Sequence, residues 1–182
     1  MAVFVSLFRA INVGGNNKVS MVALKGLHEE LGLQNVVTYL QTGNVIFESD
    51  EKTDSTHLAG KIRKEFEKDF GFSPEVMVRT AAEIMQISEE NPFLGHPEKE
   101  TKWIVVMFLS GSPDVAAKEA LLSAYTGPEE MVVKGQELYA FYTNGIGRSK
   151  LTNALIEKKL KMSGTGRNWN TVSKLLELTR RI

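Results

Sequence analysis

The chain contains no cysteine. Disulfides, thiolate nucleophiles and cysteine-held metals are therefore excluded together, and a reducing compartment, the cytoplasm, is the expected setting. Net charge is also missing: 22 lysines and arginines balance 22 aspartates and glutamates. That balance excludes a heavily basic nucleic-acid binder that draws polyanions by its overall field. Histidine is scarce, with three residues and no H-x-x-x-H or H-E-x-x-H spacing, so no metal site is expected. No apolar run approaches the roughly 20 residues of a membrane span, and no basic-then-apolar leader opens the chain. A soluble protein without a membrane partner is expected. The serines lack a G-x-S-x-G elbow, and the pairs Glu89-Glu90 and Glu129-Glu130 sit side by side at element ends, as on solvated surface rather than in an acid/base pair. The sequence names neither a catalytic residue nor a cofactor.

What is present is a good core: 42% of 182 residues are hydrophobic, enough for one large domain or two small ones. Residues 3–8 form an almost uninterrupted apolar run, the mark of a strand buried on both faces. Ser20 can cap a helix whose Leu24, Leu27, His28 and Leu31 share one face, ended by Gly32. The runs 36–40 and 45–48 flank Gln41-Thr42-Gly43-Asn44, a turn composition that predicts a hairpin. Leu58, Ile62, Phe66 and Phe70 recur every fourth residue in a helix from about Asp54, closed by Gly71 and Pro74. Residues 75–79 supply a fourth strand. The order βαββαβ predicts a ferredoxin-like unit, followed by a short helix opened by the capping box Thr80-Ala81-Ala82-Glu83 and a linker over residues 92–100.

The pattern then restarts. Residues 103–109 form a second two-sided strand, Ser112-Pro113 offers a cap and first helical position, and the runs 131–133 and 138–142 make a hairpin across Gly135-Gln136. The last strand of this second unit is not visible; two helices stand there instead, carrying Leu151, Leu155 and Ile156, then Trp169, Val172, Leu175 and Leu176. The expected fold class is α+β, with duplicated ferredoxin-like units, antiparallel sheets and extra C-terminal helices. Its units are placed at residues 1–90, with the trailing helix, and 100–182. Strands buried on both faces need a cover, from the other unit, the C-terminal helices or a second protomer, which leaves the oligomeric state open.

Charge is unevenly spread. From Gly147 onward nine cations face two carboxylates, an excess that ordinary helix ends and solvated surface account for first and that also suits an anionic partner. Two polar loops concentrate the interest. Residues 9–18 combine Arg9, Asn12, Gly14, Gly15 and Lys18 between the first strand and the first helix. They suit either an anion site at a helix N-terminus or a tight turn in which the glycines take positive φ and the asparagines satisfy backbone groups. At the other end, Arg167 offers a planar fork beside the start of the last helix, with Thr165 or Asn168 as its cap and Trp169 as its anchor. Arg148 precedes the penultimate helix in the same way, with Ser149 as cap.

The runs R-A-I-N-V-G-G-N-N-K-V (residues 9–19), Q-T-G-N-V (41–45) and T-G-R-N-W-N-T (165–171) together resemble the signatures of a bacterial family known as domain of unknown function 1697. The resemblance spans nearly the whole chain and implies a duplicated ferredoxin-like α+β fold, with no established activity, substrate or cofactor. One position departs from it. Ala10 stands where the family usually has glycine after the arginine, so a backbone geometry needing glycine is not expected there.

The expected partner is a small anionic ligand, phosphate- or carboxylate-bearing, held by Arg9, Asn12, Gly14, Gly15, Lys18, Arg148, Arg167 and Asn168 if the polar loops converge. One alternative is single-stranded nucleic acid on the basic C-terminal segment, and another is an enzyme acting on a phosphorylated metabolite at the same loops, for which no general base stands out. His28 is expected to be a partly buried packing residue, His57 and His96 to be exposed, and Phe4 to pack in the core rather than stack on a base.

Overall fold

The structure, a computed structural model, describes residues 1–50 and 52–182. It is α+β: among the described residues, six helices accompany two four-stranded antiparallel sheets. The chain divides into two compact units, Met1–Gln86 with Lys174–Ile182, and Ile87–Ser173.

The first sheet is built from β1 (Ala2–Phe8), β2 (Gln34–Tyr39), β3 (Asn44–Ser49) and β4 (Val76–Thr80), in the order β2-β3-β1-β4. As its sequence requires, β1 is buried on both faces. Phe4 and Phe8 join Leu24 and Leu27 of α1 (Met21–Glu30) and Leu58, Ile62 and Phe66 of α2 (Ser55–Phe70) in one core. Val5 and Leu7 on the opposite face are equally buried, with Ile46 of β3 directly across from Val5. Local chemistry sets the helix ends. Ser20 accepts from the Ala23 N–H, Asp54 accepts from the His57 N–H, and Gly71 closes α2 in the left-handed region. The capping box that opens α3 (Ala81–Glu90) is reciprocal: the Thr80 N–H donates to Glu83 at 2.7 Å and the Glu83 N–H donates to Thr80 Oγ1 at 3.1 Å.

The second sheet comprises β5 (Ile104–Leu109), β6 (Glu130–Lys134), β7 (Glu137–Phe141) and β8 (Gly164–Asn168), in the order β6-β7-β5-β8. Here the sequence expectation needs correction, because the missing last strand exists. β8 is the stretch G-T-G-R-N, paired antiparallel with β5, and it separates α5 (Asn153–Leu160) from α6 (Trp169–Thr179). No apolar alternation marks it. Its small residues are demanded by the partner strand: a Cβ on Gly164 would stand 2.8 Å from Met107 Cε and 3.1 Å from Leu109 Cδ2.

Two helix starts also move. α4 (Val115–Ala124) is capped by Asp114, whose side chain accepts from the Ala117 N–H at 2.7 Å, rather than by Ser112. The helix begins beyond Pro113 because the Asp114 carboxylate, not the Ser112 hydroxyl, takes one of the free N–H groups of the first turn. Thr152, not Ser149, caps α5; Ser149 Oγ accepts from the Leu151 N–H. The segment expected as a linker is tied down in the second unit. Phe93 is buried there, and the Lys99 ammonium lies 4.3 Å from the Phe141 ring centroid while pairing with Glu130.

Candidate functional site

The loop after β1 is a miniature hairpin. Val13 bridges Asn16 across Gly14 and Gly15, whose φ values of 58° and 78° give a turn that residues with a Cβ rarely adopt. The Asn12 N–H donates to Asn17 O. Asn12 then fastens the loop: its amide nitrogen donates to Val19 O at 2.9 Å and Gln41 O at 2.8 Å, and its Oδ1 accepts from the Val19 N–H at 2.7 Å. Asn12 is thus occupied with structure, and it joins residues 9–19 to the turn at 41–44. On that turn, Gly43 O accepts from the Phe8 N–H, and buried Asn44 donates to Tyr39 O and Thr42 Oγ1. Lys18 is exposed and Arg9 half-buried.

Arg167 is not on a loop. It lies within β8, opposite Val106, 7% exposed, with Nη1 donating to Thr165 Oγ1 and Gly166 O. Burial pulls its guanidinium down to about 10, which leaves it charged at neutral pH. Asn168 caps α6 by accepting from the Thr171 N–H, and Trp169 and Val172 are buried behind it. Arg9, Asn12, Gly14, Gly15 and Lys18 belong to the first unit, whereas Arg148, Arg167 and Asn168 belong to the second.

Arg148 does line a cavity. A pocket of about 550 Å³ lies within the second unit, bordered by the end of α4, residues 125–129, residues 144–150 and Leu155 of α5. Arg148 and Lys150 bring cationic heads; Tyr125, Pro128 and Leu155 bring apolar surface. Its other side is acidic. Glu129 is only 9% exposed, and its Oε2 has no hydrogen-bond partner among the described residues. This overturns the reading of Glu129-Glu130 as solvated surface for Glu129. Its charge reaches Tyr142, whose phenol is pushed up to about 12 by burial first and Glu129 second, and whose hydroxyl donates to Leu151 O.

Ser6 and His28 form a serine–histidine pair with Oγ and Nε2 2.9 Å apart. His28 Nδ1 lies 2.8 Å from Leu24 O. A carbonyl only accepts, so Nδ1 carries the proton and Nε2 accepts from the Ser6 hydroxyl. Both side chains are fully buried. His28 is therefore more enclosed than its helix face predicts, and the pair belongs to the core, out of reach of a substrate. His57 and His96 are exposed and Phe4 is buried, as expected. The exposed carboxylates Glu30 and Asp69 meet Glu65 with ligand atoms within 4.8 Å, but Lys68 already donates to Glu65. Among the described residues, no helix is long and apolar enough to cross a membrane.

A family model described as protein of unknown function (DUF1697) matches residues 1–139. The chain belongs to this family. The match covers the first two motifs, while T-G-R-N-W-N-T lies beyond it. No curated protein matches the sequence significantly. A solved structure described as conserved bacterial protein SP0830 from Streptococcus pneumoniae is similar with a TM-score of 0.74 and 23% identity, covering 98% of each chain; at that identity the likeness is one of fold.

For the DUF1697 motif around Arg9, the structure corrects one expectation. Ala10 keeps the left-handed backbone that glycine favours, with φ at 57°, although alanine pays roughly 1–2 kcal/mol for it. Ala10→Gly removes that strain and returns part of the gain as unfolded-chain entropy. The expected result is a rise of about 0.5–1 kcal/mol in unfolding free energy, measured by urea denaturation. A loss would show that the loop does not need this turn.

Proposed function

We propose that this DUF1697 protein binds a small anionic ligand in the second-unit pocket beside Arg148 and Lys150. The observation that carries the reading is the cavity itself: about 550 Å³, within the size range of small-molecule sites, with apolar surface from Tyr125, Pro128 and Leu155 beside the polar side chains of Thr126, Glu129, Asn144, Arg148, Ser149 and Lys150. Arg148 lines this cavity and brings a cationic group to it. Arginine suits phosphate or carboxylate through its planar fork, and Lys150 adds a mobile second charge. A second cavity, of about 560 Å³, opens in the first unit near Asp50, Asp54, His57 and Lys61, but Asp54 there is committed to capping α2.

The same reading extends to architecture. We infer that the units are two copies of one ferredoxin-like element. In support, both follow βαββαβα with the same strand order, and Arg79 stands opposite Val5 in β4 as Arg167 stands opposite Val106 in β8. Thr80 and Asn168, one residue later, each cap the helix that follows. The absence of cysteine supports residence in the cytoplasm.

Thermal shift with propylphosphonate tests the ligand reading. Ligand at a hundred times its dissociation constant adds about 2.7 kcal/mol, a shift of roughly 5–10 °C for a chain of this size. Arg148→Ala with Lys150→Ala is expected to remove that shift and leave the unliganded melting temperature nearly unchanged, because both side chains are at the surface. An equal shift in the double variant would place the anion elsewhere.

A further inference from the structure

The anion reading leaves the acidic side of the pocket unused. Tyr125 and Glu129 meet at Gly127: a Cβ there would stand 2.1 Å from the Tyr125 hydroxyl oxygen and 3.0 Å from Glu129 Oε2. Only a glycine lets the phenol and the carboxylate crowd the same point. The result is a carboxylate oxygen withdrawn from solvent, beside an aromatic ring, with no donor from the described residues. A buried carboxylate oxygen without a donor is costly. Solvated surface gives no reason to keep one. A charge-assisted donor relieves it best, and a protonated amine is such a donor. The cationic heads of Arg148 and Lys150 border the same cavity.

From this juxtaposition we propose that the pocket takes a zwitterion, with a protonated amine seated on Glu129 beside Tyr125 and an anionic group, phosphate or carboxylate, on Arg148 and Lys150. The inference rests on the anion-binding reading of the same pocket and adds the identity of the other end of the ligand. Specificity then comes from the carboxylate: a molecule with the anion alone leaves Oε2 without a donor and gains only half of the site.

A matched pair of probes tests it by isothermal titration calorimetry of the full chain. 3-Aminopropylphosphonate is expected to bind at least about tenfold more tightly than propylphosphonate, the ratio that a charge-assisted hydrogen bond produces. Glu129→Gln is expected to abolish the preference, weakening 3-aminopropylphosphonate by the lost partner of its amine and tightening propylphosphonate by removing a negative charge from the pocket. Equal affinity for the two probes in the wild type overturns the zwitterion and leaves the anion reading standing. Binding of neither probe overturns both. The melting temperature of unliganded Glu129→Gln separates function from structure: it is expected to match or exceed the wild type, since the substitution removes a buried charge. A fall of several degrees would make Glu129 a structural residue and overturn the inference.

Discussion

Replacing Gly43 with alanine is expected to cost about 3–4 kcal/mol of stability and to lower the melting midpoint by about 10 °C. Two penalties combine. Gly43 has φ at 85°, a conformation that charges an alanine roughly 1–2 kcal/mol. Its Cβ would also stand 2.6 Å from Ile11 Cδ1 and 2.9 Å from Phe8 Cβ, and relieving such overpacking costs typically 1–3 kcal/mol. Neither neighbour can give way cheaply. Phe8 and Ile11 are both buried in the first core, and the Phe8 N–H is bonded to Gly43 O at 2.9 Å. Thermal or urea denaturation of Gly43→Ala reads the effect. A loss below about 1 kcal/mol would mean that the 41–44 turn shifts freely away from the loop after β1, which the Asn12 bonds should prevent.

Acidification is expected to weaken the protein through His28. Desolvation, only partly offset by the Leu24 carbonyl, lowers its pKa from 6.5 to about 4. Between those values the unfolded chain binds the proton and the folded one does not, so lowering the pH favours unfolding. The stabilisation due to neutral His28 is complete above pH 6.5 and disappears as pH falls through 4. The difference amounts to about 3 kcal/mol. Ser6→Ala combined with His28→Leu removes donor, acceptor and titrating group together, which spares each partner from being left alone in the core. Urea unfolding of the wild type and this double variant at about pH 7 and about pH 4 checks the assignment. The variant should lose about 3 kcal/mol less than the wild type on acidification. Equal losses would assign the acid sensitivity to other groups.

How far the sequence carries depends on whether the determinant is local. β1 and β5 announce themselves by continuous apolar runs, and Ser20, Gly71 and the Thr80–Glu83 box are legible because a cap is chemistry within four residues. β8 is invisible for the opposite reason. Gly164 and Gly166 are small because Met107 and Val105 of a strand some sixty residues earlier press on them, and no local pattern records that pressure. Missing β8 also displaced Arg167, which reads as a loop arginine beside a helix start and is instead a buried strand residue. The asparagines of residues 12–17 are legible as backbone partners because the backbone they satisfy is mostly their own loop. Glu129 had no signal of its own. A glutamate pair after Gly127-Pro128 looks like a solvated element end, yet Glu129 is buried, close to Tyr125 at Gly127 and on a cavity shared with residues 144–150. Arg148, named in the sequence for its charge beside a helix start, lines the same cavity.

Residue-resolved NMR titration of the full chain with 3-aminopropylphosphonate tests the central claim most directly. Chemical-shift changes are expected to concentrate in residues 124–129 and 144–150 and to saturate as one site, with Arg148 and Glu129 among the most affected. Saturable changes confined to the loop at residues 9–18, or a spectrum that stays unperturbed at millimolar probe, would contradict the account.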